Sequence, residues 1–288
     1  GVRLFVFNTM AKLIPLVLLL AFGIFAIKFE NLAIMEWPPI ATVGGGAIIL
    51  FFAFAGAESG LSASGEIKNP SKTVPLGLLL GLTGILALYV GLQTVSQGVL
   101  GAELANNMDA PLAAVATEVF GEWGAKMLLV GGVISIYATV SGDMLSAPRV
   151  VFASARDNNL PKFLATVHPK YKTPYVSIIF FAAVVCVFAL SGTFKPLAVL
   201  ASGSILIIYG GVSLAVLRLR HRDGEPNPGQ FKLPFGPVIP VLSCLVVGWL
   251  LWQLTVEEAT ALAALIGVSV LLYAIRIVSK RAQGGSKL

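Results

Sequence analysis

The sequence predicts an all-α integral membrane protein with about eight transmembrane helices, from its charge content, its apolar runs and the sorting of its basic residues. A soluble domain of this length covers its core with a charged skin of about a quarter of its residues. Here 12% of the 288 residues are charged and 57% are apolar, with a mean hydropathy of +0.88. The missing solvent is lipid. Apolar runs near the ~20 residues needed to cross a ~30 Å hydrocarbon layer recur along the chain. They are continuous rather than alternating, which excludes the ten-residue strands of an outer-membrane barrel.

In order, the expected spans are 10–28, 39–60, 75–97, 124–147, 174–192, 196–217, 236–256 and 259–278. The loops between them alternate in charge. One set holds Arg3, Lys12, Lys68, Lys72, Arg149, Arg156, Lys162, Lys170, Lys172, Arg218, Arg220, Arg222, Lys232, Arg276, Lys280, Arg281 and Lys287, or 17 of the 20 basic residues. The other set holds Lys28, Lys126 and Lys195 and collects Glu30, Glu36, Glu103, Asp109, Glu118, Glu122, Glu257 and Glu258. Because cytoplasmic loops are Lys/Arg-rich, both termini are expected in the cytoplasm of a multi-pass plasma-membrane protein. The net charge of +6 thus reports topology. The basic residues form no continuous stripe for nucleic acid. Cys186 and Cys244 lie far apart in apolar segments, and His168 and His221 are solitary, so no metal-ligand spacing is present.

The second span contains Gly44-Gly45-Gly46 and ends Phe51-Phe52-Ala53-Phe54-Ala55-Gly56-Ala57-Glu58. An acid inside a span is expensive and is expected to face protein or water, which makes Glu58 a functional candidate; the bland reading is an end residue reaching for the interface. Ala55-Gly56-Ala57 offers little bulk to prevent the helix from opening. Broken helices expose backbone groups that transporters use to hold ions and ammonium groups, although small residues in membrane helices also serve close packing. In the fourth span Ser135, Thr139, Asp143 and Ser146 share one helical face. That face is expected to line a cavity or to bond across helices. Arg149, Arg156 and Asp157 are expected on a short helix at the membrane surface.

The stretch Phe51-Phe52-Ala53-Phe54-x-Gly56-x-Glu58, followed by Glu66-Ile67-Lys68-Asn69-Pro70-Ser71-Lys72-Thr73-Val74-Pro75, resembles the sixth helix and following loop of the amino acid–polyamine–organocation permeases. A second match runs from Arg149 through Asp157 to Leu160-Pro161 and on to Lys172-Thr173-Pro174. The resemblance covers the whole chain as helices five to twelve of a twelve-helix family, so the chain is expected to be part of a longer protein. It implies a single transmembrane domain over 1–288 with a partial leucine-transporter-like inverted repeat. Residues 10–28 would match helix five, 39–217 the second five-helix repeat and 236–278 two C-terminal helices.

The resemblance also implies roles. Backbone carbonyls around Ala55, Gly56 and Ala57 would receive the substrate amine, with Phe52 as an aromatic wall and Glu58 as a protonation or gating residue. Lys12 is similar in place to a lysine that replaces the sodium ion in proton-driven relatives. Desolvation disfavours a charged ammonium, so Lys12 is a candidate coupling site; snorkelling to the interface is the plain alternative. Ser135, Thr139 and Asp143 would line the substrate path. Asp143 departs from the family, since arginine-exchanging relatives carry an aromatic there. The implied function is a secondary transporter of amino acids, coupled to protons or to exchange, without cofactor or metal. A polyamine or organic-cation transporter is the alternative. No phosphate-binding loop for ATP is present. A membrane enzyme using Glu58 and Asp143 as a carboxylate pair would lack a nucleophile with a paired base, and a non-transporting receptor is the remaining reading.

Overall fold

A computed structural model describes residues 2–33, 37–57, 67–224 and 235–284. Among the described residues there is no strand. The α-helices are α1 (Val2–Gly23), α2 (Ile40–Phe52), α3 (Pro70–Leu100), α4 (Pro111–Phe120), α5 (Glu122–Arg156), α6 (Tyr175–Ser191), α7 (Phe194–Asp223), α8 (Val238–Trp252) and α9 (Val256–Gly284). Every expected span contains a helix. Five of them, in α1, α3, α5, α7 and α9, are long and apolar enough to cross a membrane, whereas α2, α6 and α8 are shorter apolar helices. None of the residues in the most hydrophobic window of α3 is buried. A helix that apolar and that exposed has lipid as its solvent.

Several boundaries differ from expectation, and one helix is additional. α1 stops at Gly23 and continues as two 3₁₀ turns, Ile24–Ala26 and Phe29–Leu32. α2 stops at Phe52, eight residues short of the expected end. α5 does not end near 147: it runs through the buried Pro148 to Arg156, so Arg149 and Arg156 continue a membrane-crossing helix rather than starting a separate one. Membrane helices tolerate such a proline because neighbouring groups satisfy the freed carbonyl. α4 was not expected, although Pro111 at its first position is a helix-start signal.

The chain forms two compact units, 1–37 with 80–147 and 38–79 with 148–288. In the first, α1 and the turns after it pack on α3 through glycine-lined contacts. A side chain at Gly91 would meet Leu20, one at Gly98 would meet Ile27, and one at Gly23 would strike Val95. Small residues allow this approach, as is usual between membrane helices. Leu19, Leu92, Val95, Val99, Val115, Ala116 and Leu128 form the core. Where α1 ends, the carbonyl of Gly98 accepts bonds from the Lys28 amide and the Asn31 side chain, both at 3.0 Å.

In the second unit α7 is the centre, in contact with α2, α8 and α9. Ile48, Val199, Leu206 and Leu250 are its buried core. The Ser213 hydroxyl gives its hydrogen to the Tyr209 carbonyl, so Ser243 is the donor in the 2.9 Å bond that joins α8 to α7. Thr255 caps α9 reciprocally with Glu258: its hydroxyl accepts the Glu258 amide, and the Glu258 carboxylate accepts the Thr255 amide at 2.9 Å. The Thr-x-x-Glu spacing is the capping-box pattern.

Candidate functional site

The helix of the second span gives way to a turn after Phe52. After Phe52 the amides of Ala53, Phe54 and Ala55 donate to carbonyls only three residues back, at 3.0, 3.0 and 3.1 Å. That tightening ends an α-helix. Gly56 then turns the chain with φ +101°, a backbone conformation that residues with a Cβ rarely adopt. Ala53–Ala57 is a turn. Two aromatic pairs fix its approach to α7: Phe51 meets Tyr209 edge-on at 6.0 Å, and Phe52 meets Phe194 edge-on at 5.7 Å. Ala55 and Ala57 are half-buried and Gly56 is exposed. Glu58 lies outside the described residues.

The other candidates belong to the first unit. Lys12 is half-buried on α1 and lines a cavity of about 760 Å³ together with Thr9, Tyr89, Asp109 and Ser135. The structure therefore brings Lys12 and Ser135 to one cavity. Thr139 and Asp143 are not among its lining residues and are exposed on α5. The polar face of α5 is satisfied within its own helix, since the Thr139 hydroxyl donates to the Ser135 carbonyl at 2.9 Å and the Ser146 hydroxyl to Gly142 at 3.0 Å. Among the described residues Asp143 makes no hydrogen bond or ion pair. Its carboxylate is available to a ligand or to another part of the protein.

Asp109 was read as a plain loop acid. It lines the cavity just ahead of α4, which begins at Pro111. Its signal was the proline two residues on. His168 likewise has a structural role: its Nδ1 accepts the amides of Lys170 and Tyr171 at 3.2 and 3.3 Å. Among the described residues no group of three His, Cys, Asp or Glu side chains is placed to hold a metal ion.

Comparison with known proteins identifies the family. The chain is 32% identical over 255 residues to the branched-chain amino acid permease BcaP of Bacillus subtilis, covering 86% of this chain and 53% of that protein. It is 29% identical over 276 residues to the methylthioribose transporter of the same organism, covering 93% and 58%. It is also 31% identical over 247 residues to the serine/threonine exchanger SteT of Bacillus subtilis, covering 82% and 55%. The chain thus spans about half the length of these relatives. A family model described as amino acid permease matches residues 1–278, all but the last ten, and on that match the chain belongs to the amino acid permease family.

Proposed function

We propose that this chain forms part of a secondary active transporter that moves amino acids across the plasma membrane, by proton coupling or exchange, and that it does not transform them. The observation that carries the proposal is the break at the end of α2. A span that ends in a tight turn at Gly56, braced by two aromatic pairs on α7, supplies oriented backbone groups of the kind that bind an ammonium group. Phe52 is the aromatic wall beside that turn, Ala55, Gly56 and Ala57 present the backbone, and Glu58 gates or titrates. In the other unit Lys12 is the coupling site and Ser135 its neighbour in the cavity. Thr139 and Asp143 tune which amine is accepted. The even number of expected spans and the loop charges support termini in the cytoplasm.

The relatives' names run from branched-chain amino acids to methylthioribose, so the substrate is tested directly. Uptake of labelled alanine into cells producing the protein is competed with valine, serine, lysine, a diamine and amino acid amides lacking the carboxylate. An amino acid transporter loses its signal to the first three competitors and is indifferent to the amides. Competition by the diamine and the amides instead would establish the organic-cation alternative, which the unpaired Asp143 carboxylate favours.

A further inference from the structure

From Arg149 to Lys172 the chain carries five basic side chains, Arg149, Arg156, Lys162, Lys170 and Lys172, against one acid, Asp157. All five are exposed. Asp157 is taken by Arg156 at 3.3 Å, so the other four cations have no carboxylate partner among the described residues.

The loop that follows α5 is built rather than slack. The buried Ser177 hydroxyl donates to the Leu164 carbonyl at 2.6 Å, which pins the 3₁₀ turn Lys162–Ala165 to the first turns of α6. The His168 amide donates to the Thr173 carbonyl at 2.8 Å, and the Lys172 amide donates back to His168 at 2.9 Å. The His168 ring packs at 4.9 Å from Tyr171 and at 5.8 Å, edge-on, from Tyr175. Lys172 holds φ +54° to complete the turn. This closure leaves Lys162, Lys170 and Lys172 outward beside exposed rings: Phe163 is 61% and Tyr171 67% exposed, and the Lys170 ammonium lies 5.5 Å over the Tyr171 ring.

Basic and aromatic side chains alternating on an ordered loop beside two apolar helices match one surface. Aromatic rings settle at the level of lipid headgroups, and a basic residue near an anionic leaflet contributes about 1 kcal/mol, which is about a fivefold change in affinity. We propose that the loop Lys162–Lys172 is a docking site for the headgroups of anionic phospholipids, with the lysines on the phosphate and Phe163 and Tyr171 in the interface. It holds the cytoplasmic ends of α5 and α6 to the membrane surface. That side assignment rests on the topology proposed above, whereas lipid binding itself does not.

The test uses the protein purified in detergent, titrated with phosphatidylglycerol or phosphatidylcholine, with bound lipid counted by native mass spectrometry. The expected result is a preference for phosphatidylglycerol that weakens as salt is raised. The combined Lys162→Gln, Lys170→Gln, Lys172→Gln variant is expected to lose that preference by about tenfold or more, while the three Lys→Arg changes keep it. Equal binding of the two lipids by the unaltered protein would overturn the proposal. So would a preference that survives in the glutamine variant, or one displaced by millimolar inorganic phosphate, which would make the loop a soluble-anion site. Because no transport is measured, this result and the uptake result are separate.

Discussion

The proposed roles of Gly56 and Asp143 can each be tested by a single substitution. Among the described residues nothing lies within 4 Å of a Cβ built on Gly56, so Gly56→Ala meets no steric block from them. Its cost is conformational, of order 1–3 kcal/mol for a residue held outside its favoured region. The turn is then expected to relax. Uptake should fall about tenfold or more while the amount of protein in the membrane, read by immunoblot, stays the same. Gly84, in the interior of α3 and equally open, serves as the control and should accept alanine without loss. For Asp143, Asn keeps the shape and removes the charge. If the carboxylate meets a cationic substrate, Asp143→Asn weakens lysine and diamine uptake by about 1–3 kcal/mol and leaves alanine unchanged. An equal loss for all three would assign Asp143 to a protein contact. The small-residue run around Gly56 was legible in the sequence because Ala55-Gly56-Ala57 directly precedes an acid within an apolar run. The capping role of Glu258 and the turn-closing role of His168 were less so, since a capping box and an imidazole acceptor depend on where a helix or turn begins to within one residue.

Among the helices, existence was more legible than length. Each of the eight continuous apolar runs holds a helix, five of them long enough to cross a membrane, because lipid requires an apolar exterior whatever the tertiary packing. Lipid does not decide where a helix stops. α5 continues to Arg156 because neither Pro148 nor the charged residues after it end a helix that other groups support, and at 35 residues it is about 52 Å long, well beyond a ~30 Å core. α4 was missed because a ten-residue apolar segment in an acidic loop reads equally well as a connection. Between helices, the Ser243–Ser213 bond makes a quantitative expectation. Hydrogen bonds between membrane helices average about 0.6 kcal/mol and reach about 1.7. The Ser213→Ala, Ser243→Ala double-mutant cycle, read by thermal unfolding in detergent, should give a coupling in that range. A coupling of zero would mean that α7 and α8 are held by apolar packing alone.

At the scale of the proposed transport activity, the cavity around Lys12 carries the prediction. Lys12→Met keeps the length and apolar stem of the side chain and removes its proton. Accumulation against a gradient in proteoliposomes with an imposed proton gradient is expected to disappear, and exchange of internal for external substrate to persist. Accumulation at the unaltered rate would leave Lys12 as an interfacial anchor. Two signature stretches were enough to read the family. The environment of Lys12 was not readable, because Asp109, Tyr89 and Ser135 come to it from three separate segments, and no single periodicity contains them.

α2 has a further consequence. Its 13 residues extend about 20 Å, some 10 Å less than the hydrocarbon layer is thick. After Phe52 comes the turn Ala53–Ala57, which lacks the full helical ladder. Lipid does not tolerate such backbone on its own surface, only where protein covers it or where a water-filled space reaches it. If the second span crosses as proposed, water is expected to reach this turn from one side, and a cysteine placed at Ala57 should react with a water-soluble maleimide that leaves one at Leu50, within α2, untouched.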